Sequence, residues 1–188
     1  MMEKWKTLSK KLVGNFKIFE LFQYEREHPN THKINNFYGL KSYNWVNIIP
    51  LTRVNEIILV EQYRHGIDAP AIEIPAGLIE LNEDSKDAAM RECMEETGYQ
   101  GEGNAIFLGK VKPNPAFLNN YCYHYLWLNC EKKCEQKLDE NEDINVIKVP
   151  FNHIKAMIES GEIDHSLVIS ALYYYEMYVL KKVLEGGF

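Results

Sequence analysis

The 188-residue chain lacks any run of about 18 uncharged apolar residues, so it offers no candidate membrane span. Cysteine is sparse. Cys93, Cys122, Cys130 and Cys134 keep no framework spacing, and Cys130 and Cys134 have neither a second cysteine pair nor flanking histidines. A disulfide scaffold and a zinc site are therefore not expected, and reduced thiols in a cytoplasmic protein are the simplest account. Positive charge is short too: 21 Lys and Arg against 27 Asp and Glu give a net charge of -6. That balance argues against a nucleic-acid partner, which needs clustered basic residues. The opening residues Met1 to Lys6 carry no apolar core or small-residue cleavage site, so no secretory leader is expected. Repeats, low-complexity tracts and long linkers are absent as well. What is present is ordinary for a soluble globular protein, 46% hydrophobic and 26% charged, with enough length to bury one core without staples.

Loose alternation of aromatic and β-branched residues over about 14–49 (Phe16, Ile18, Phe22, Tyr24, Trp45, Val46) predicts strands, broken at Glu27-His28-Pro29-Asn30. Residues 56–63 predict a largely buried strand, and further strands are expected near 106–111, 121–129 and 144–149. A helix over 86–97 would start from Asp84 or Ser85 and end at Gly98. Two more helices close the chain. One covers 151–160 and stops at Gly161; the other begins near Asp164 and carries Leu167, Val168, Ala171, Leu172, Tyr175 and Tyr178 as one apolar stripe. Its tyrosines suit core or dimer packing better than a ligand site.

The most informative stretch is Gly77, five residues, Glu83, seven residues, then Arg91-Glu92-Cys93-Met94-Glu95-Glu96-Thr97-Gly98-Tyr99. On a helix Glu92, Glu95 and Glu96 share one face, at i, i+3 and i+4. Three like charges so close need a cation among them, and hard divalent ions such as Mg2+ take oxygen ligands. Arg91 beside them can grip one carboxylate in a bidentate pair. A bare Glu-Glu pair would ordinarily mean a solvated acidic face. Here every element keeps a fixed spacing over 23 positions, and the whole resembles the Nudix box, with Cys93 and Tyr99 as mild departures at packing positions.

The resemblance implies an α/β fold, a Nudix α/β/α sandwich with a mixed β-sheet over 41–188. It adds an N-terminal antiparallel strand extension, 1–40, as part of a homodimer interface. It implies two or more Mg2+ (or Mn2+) ions, with Glu92 and Glu96 bridging, Glu95 completing the shell and the Ala76 carbonyl adding an oxygen. Gly77 would let the loop turn sharply towards the metals. Glu83 has either an outer role or merely favours the helix dipole. Glu140-Asn141-Glu142-Asp143-Ile144 resembles the acidic loop of ADP-ribose pyrophosphatases, which makes Glu140 the candidate base and Glu142 a metal partner; Glu95 stays in contention as base. Glu61-Gln62-Tyr63-Arg64 and Glu73-Ile74-Pro75-Ala76-Gly77 resemble the same branch. Arg64 would hold a phosphate, against the alternative of a surface salt bridge with Glu61 or Glu73. Glu73 would bind metal through water or hold Arg64, and Trp45 would stack on a base or pack in the core. The expected reaction is metal-dependent hydrolysis of the pyrophosphate of ADP-ribose or another nucleoside diphosphate sugar, giving a nucleoside monophosphate and a sugar phosphate. Dinucleoside polyphosphates, NADH or coenzyme A are alternative substrates. A non-catalytic nucleotide-sugar sensor is the reading from another class, and it would be expected to have lost box carboxylates. Asn114-Pro115-Ala116 replaces the Pro-Gly loop of the best-known ADP-ribose enzymes, which points to a broader substrate range.

Overall fold

A computed structural model describes residues 2–186. Contacts divide the chain into two compact units. The first takes the residues up to Asn44 together with Lys112–Tyr121, and the second takes Trp45–Val111 and the chain from Cys122 onward.

The first unit is an antiparallel meander of β1 (Lys6–Phe16), β2 (Phe19–Glu27) and β3 (Ile34–Ser42). Phe16 pairs with Phe19 across a two-residue turn. The predicted break at Glu27 to Asn30 is a turn in which His28 Nδ1 accepts from the amides of Asn30 and Thr31, each at 3.2 Å. Residues 112–121 belong with this sheet, although the sequence assigns them to the 41–188 region. Leu40 N–H donates to the Phe117 carbonyl at 2.7 Å, and the Asn120 amide donates to the Tyr43 carbonyl at 2.8 Å. The Asn44 side chain accepts from Tyr121 N–H at 2.9 Å. Backbone groups at the end of β3 thus find partners in a segment far along the chain.

The second unit contains β4 (Trp45–Pro50), β5 (Glu56–Arg64), β6 (Ala69–Glu73), β7 (Ala76–Leu78), α1 (Ser85–Thr97), β8 (Tyr99–Gln100) and β9 (Ile106–Val111). There follow β10 (Cys122–Trp127), β11 (Glu131–Lys132), β12 (Ile144–Pro150), a 3₁₀ turn (Phe151–His153), α2 (Ile154–Glu159) and α3 (Ser166–Leu184). One mixed sheet has the order β7-β4-β10-β9, with β4 and β10 parallel; an antiparallel sheet has the order β12-β5-β6; β8 and β11 form a short pair. No helix among the described residues is long and apolar enough to cross a membrane.

Strand alternation builds the layers. Successive side chains of a strand point to opposite faces. Val46 and Ile48 of β4, with Tyr125 and Trp127 of β10, pack with Ala88, Ala89 and Cys93 of α1. Ile49 and Leu126, from the same two strands, pack with Val168, Ala171 and Leu172 of α3. The central strands are apolar on both faces because a helix covers each one. That is the expected α/β/α sandwich.

Three boundaries differ from the sequence reading. The strand expected over 121–129 is shorter, because Asn129 takes a left-handed φ of 56° and ends the extended run. The helix expected over 151–160 opens as a 3₁₀ turn, and no side chain caps either segment. The last helix starts at Ser166, with His165 still extended.

The helix that bears the acidic face is stopped firmly at both ends. Asp84 caps it by accepting from Lys86 N–H at 3.0 Å, and Gly98 ends it at φ 72°, its N–H bonded to the Met94 carbonyl at 2.8 Å. A Cβ on Gly98 would also run into the Cys134 carbonyl oxygen. Gly98→Ala is therefore expected to cost at least ~2 kcal/mol in denaturant unfolding, since the left-handed backbone and a clash with main chain add together. A loss under ~0.5 kcal/mol, the usual surface range, would show that the loop beside it gives way freely.

Candidate active site

The site forms where α1 crosses the start of β7. Ala76 and Gly77 pair with Asn47 and Val46 of β4, which fixes their backbone under the helix. Glu96 is 4% exposed and points at this strand, where Ala76 N–H donates to its Oε2 at 2.9 Å. Glu92 lies against Gly77 so closely that a Cβ there would overlap its carboxylate. The sequence reading expected Gly77 to permit a sharp turn. It instead sits in a strand with no positive φ, and the glycine is required because a carboxylate occupies the space of a side chain.

Arg91 organises the rest. Its Nε and Nη2 hold Glu83 at 2.8 and 3.0 Å, and its Nη1 meets both Glu92 and Glu95 at 2.9 Å. Nη2 also reaches the Leu78 carbonyl at 3.1 Å. Glu83 is thus the arginine's orienting partner, beyond any favour to the helix dipole. One cation serves three carboxylates, and Glu96 has no ion-pair partner among the described residues. Burial, with Glu95 and Glu142 adding repulsion and Arg91 opposing it, raises the Glu92 carboxyl to about 7. Burial raises Glu96 to about 8, with Glu92 and Glu142 adding to it against the Ala76 amide and Arg64.

The strands bring in two further groups. β12 pairs with β5 so that Ile144 faces Gln62, which carries the acidic loop 139–143 to the Arg64 end of β5. The charge of Glu142 acts on Glu92, Glu96 and Arg64, while its carboxylate accepts from Asp139 N–H at 2.9 Å within its own loop. Glu140 is exposed on that loop and bonds to none of the box residues. Trp45 is half-buried at the start of β4, opposite Leu78. Arg64 is engaged already: its Nε and Nη2 grip Glu73 at 2.7 and 2.6 Å. Burial acts to raise the Glu73 carboxyl, but the bonds to Arg64 and His165 outweigh it and hold the group at about 2.

Two residues at this site have no signal in the sequence. His165 Nδ1 lies 3.3 Å from Glu73 Oε2. Gln136 donates through Nε2 to the carbonyls of Glu96 and Ile144 at 2.7 and 2.9 Å, tying the end of α1 to β12. Both act between segments distant in sequence, where periodicity carries no information.

As they stand, no three His, Cys, Asp or Glu side chains among the described residues share a point that would ligate an ion. Arg91 draws Glu92 and Glu95 aside, and the Ala76 amide holds Glu96. The donor set nevertheless suits a hard divalent ion: clustered carboxylate oxygens, one of them buried without a counter-charge.

The NUDIX domain model matches residues 44–171. The methanol dehydrogenase activator of Bacillus methanolicus is 32% identical over 133 residues, 70% of this chain and 71% of that protein. The ADP-ribose pyrophosphatase of Bacillus subtilis (strain 168) is 28% identical over 182 residues, 96% of each chain. Among solved structures, one described as an ADP compounds hydrolase superposes with a TM-score of 0.84 over 97% of each chain at 19% identity, a likeness of fold. The chain belongs to the Nudix family, in the branch that includes the ADP-ribose pyrophosphatases, and is a pyrophosphohydrolase. Enzymes of this family generally use divalent metals.

The buried Glu73 pair has a clear pH signature. A carboxyl held at about 2, against 4.5 when free, contributes stability that is present above ~4.5 and lost as pH falls towards ~2. Glu73→Gln should cost about 1.5–2 kcal/mol at pH 7, near the low end for a charged hydrogen bond because Arg64 is partly exposed to water. The difference between wild type and variant in urea unfolding should narrow between pH 4.5 and 2. A gap that stays constant over that range would show that the charge of Glu73 is not what matters.

Proposed function

We propose that this chain hydrolyses the pyrophosphate bond of ADP-ribose and related nucleoside diphosphate sugars, using Mg2+ or Mn2+ held by Glu92, Glu95 and Glu96 with the Ala76 carbonyl. The observation that carries the reading is Glu96: a buried carboxyl on a three-carboxylate helix face, with a backbone amide as its hydrogen-bond donor and no cation in ion-pair reach among the described residues. Bound metal would supply neutralisation of the diphosphate charge and a more acidic water. The remaining work belongs to side chains. Arg91 fixes the orientation of Glu92 and Glu95. Arg64 binds a phosphate oxygen with the N–H groups that Glu73 leaves free. Glu142 approaches the metals from its loop. Glu140 accepts the proton of the attacking water, whose oxygen adds to one phosphorus as the bridging P–O bond breaks; its exposed loop position suits a base that closes late. The curated relative named an ADP-ribose pyrophosphatase supports the substrate class. The reading extends to a cytoplasmic homodimer paired through residues 1–40, which the exposed Leu12, Val13 and Phe16 of β1 support.

Substitutions separate the roles. Glu96→Gln keeps shape and removes charge, so turnover should fall at least ~100-fold if a metal ligand is lost. Near-normal activity at saturating Mg2+ would refute the ligand assignment. Glu140→Gln should lower kcat with little change in KM, as for a group acting in the transition state. If Glu95→Gln behaves that way and Glu140→Gln is silent, the base lies on α1.

A phosphate-release panel of ADP-ribose, GDP-mannose and UDP-glucose, with a coupled phosphatase, tests the substrate. Diphosphate contacts are common to all three, so discrimination must come from base and sugar. We expect hydrolysis of ADP-ribose and at least one other, within ~100-fold, the span that one or two contacts produce. Cleavage of ADP-ribose alone would show a selective site, and binding without cleavage of any would make the protein a sensor.

A further inference from the structure

His165 stands at the N-cap of α3, a position where Ser, Thr, Asp or Asn would ordinarily cap the helix. Its backbone is extended and its carbonyl closes the first turn to Ile169 N–H at 3.0 Å, yet its side chain makes no capping bond. The ring turns instead to Glu73, placing Nδ1 3.3 Å from Oε2. This Nδ1 is fully buried, and its approach to Glu73 is an ion-pair contact without hydrogen-bond alignment; a proton carried on Nδ1 would face the carboxylate. Glu73 Oε2 is the same oxygen that receives Arg64 Nη2, while Oε1 receives Arg64 Nε. The carboxylate is therefore gripped from β5 and approached from another direction by the start of α3. Arg64 Nη1 makes no hydrogen bond among the described residues and is the edge left to a ligand.

We propose that His165 is a positioning residue: it fixes the plane of the Glu73 carboxylate, and through it the Arg64 guanidinium, so that the free Nη1 edge faces the substrate diphosphate. The inference rests on the proposed phosphate role of Arg64. A carboxylate held by one partner alone turns with that partner, and a half-exposed arginine is a long flexible stem whose ordering opposes binding. With a second donor from another element the fork is set before the substrate arrives. Arg64 contacts a phosphate that is charged in ground and transition states alike, so the effect belongs to KM and leaves kcat nearly unchanged.

Three variants of the full chain test this. His165→Asn keeps an N–H donor close to the Nδ1 position, His165→Ala removes it, and His165→Ser removes it while offering α3 a better cap. For ADP-ribose with Mg2+, the Ala and Ser variants should raise KM ~5-fold to ~10-fold with kcat within about twofold, the size of one ordinary polar contact. His165→Asn should return KM to within about twofold of wild type. A capping role alone would instead leave KM unchanged in all three and raise the melting temperature of both His165→Ser and His165→Asn, and that pattern would overturn the proposal. So would a fall in kcat shared by every variant. Calorimetric affinity for ADP-ribose without divalent metal keeps the two readings apart. If wild type hydrolyses no nucleoside diphosphate sugar but His165→Ser still binds more weakly than wild type, the hydrolase reading fails and the positioning role stands. If the affinities are equal, the positioning role fails whatever the enzyme cleaves.

Discussion

Glu96 is a carboxyl group taken out of water with no cation in ion-pair reach among the described residues, and the packing of α1 against β7 supplies its hydrogen bond. Its hydrogen bond from Ala76 N–H requires that β7 present an amide to the helix. That holds only while β7 is paired with β4 and while residue 77 has no side chain to displace Glu92. Ionising a carboxyl so sparsely paired is costly in a fold built for stability alone, which is why burial lifts it to about 8. The cost is understandable where a divalent ion completes the shell, and the family to which the chain belongs uses such ions.

Charge is distributed around this constraint with economy. Arg91 neutralises the outer carboxylates Glu83, Glu92 and Glu95, all on its own side of the helix. Arg64 serves Glu73 on the sheet side. The arginine of the helix lets several acids coexist without repelling the helix apart, and the arginine of the strand stays partly free. Two cations in similar acidic surroundings therefore differ in what they can offer a ligand. Arg91 spends three nitrogens on protein oxygens, whereas Arg64 spends two and keeps Nη1.

The rigid frame beneath comes from β4 and β10, whose alternate side chains feed α1 on one face and α3 on the other. The same arrangement brings the start of α3, and with it His165, to the buried end of β6. The carboxylates of α1, Glu73 and Arg64 thus sit on a helix and on strand ends, while Glu140 and Glu142 lie on a loop in which Asp139 and Glu142 bond to each other.

A helix over 86–97, a cap at Asp84 or Ser85, a stop at Gly98 and a face of Glu92, Glu95 and Glu96 were legible in the sequence because each depends on residues within one or two turns; the structure chose Asp84 and began the helix at Ser85. The apolar strands of β4, β5 and β10 and the stripe on α3 were legible for the same reason, since burial writes a local period into the chain. Other features depended on which segments meet. Residues 112–121 joined the N-terminal sheet because asparagine side chains and amides there answer the end of β3. Gly77 proved necessary for the space that Glu92 fills, a fact about two elements rather than one. The sequence offered Arg64 a phosphate or a salt bridge with Glu61 or Glu73; its guanidinium grips Glu73, although the register of β5 and β6 sets Ala69 opposite Arg64 and Val60 opposite Glu73. His165 and Gln136 carried no pattern at all. Local spacing determined which groups could do chemistry; tertiary packing alone decided which of them touch, because contact between distant segments is set by the directions in which packed strands and helices aim their side chains.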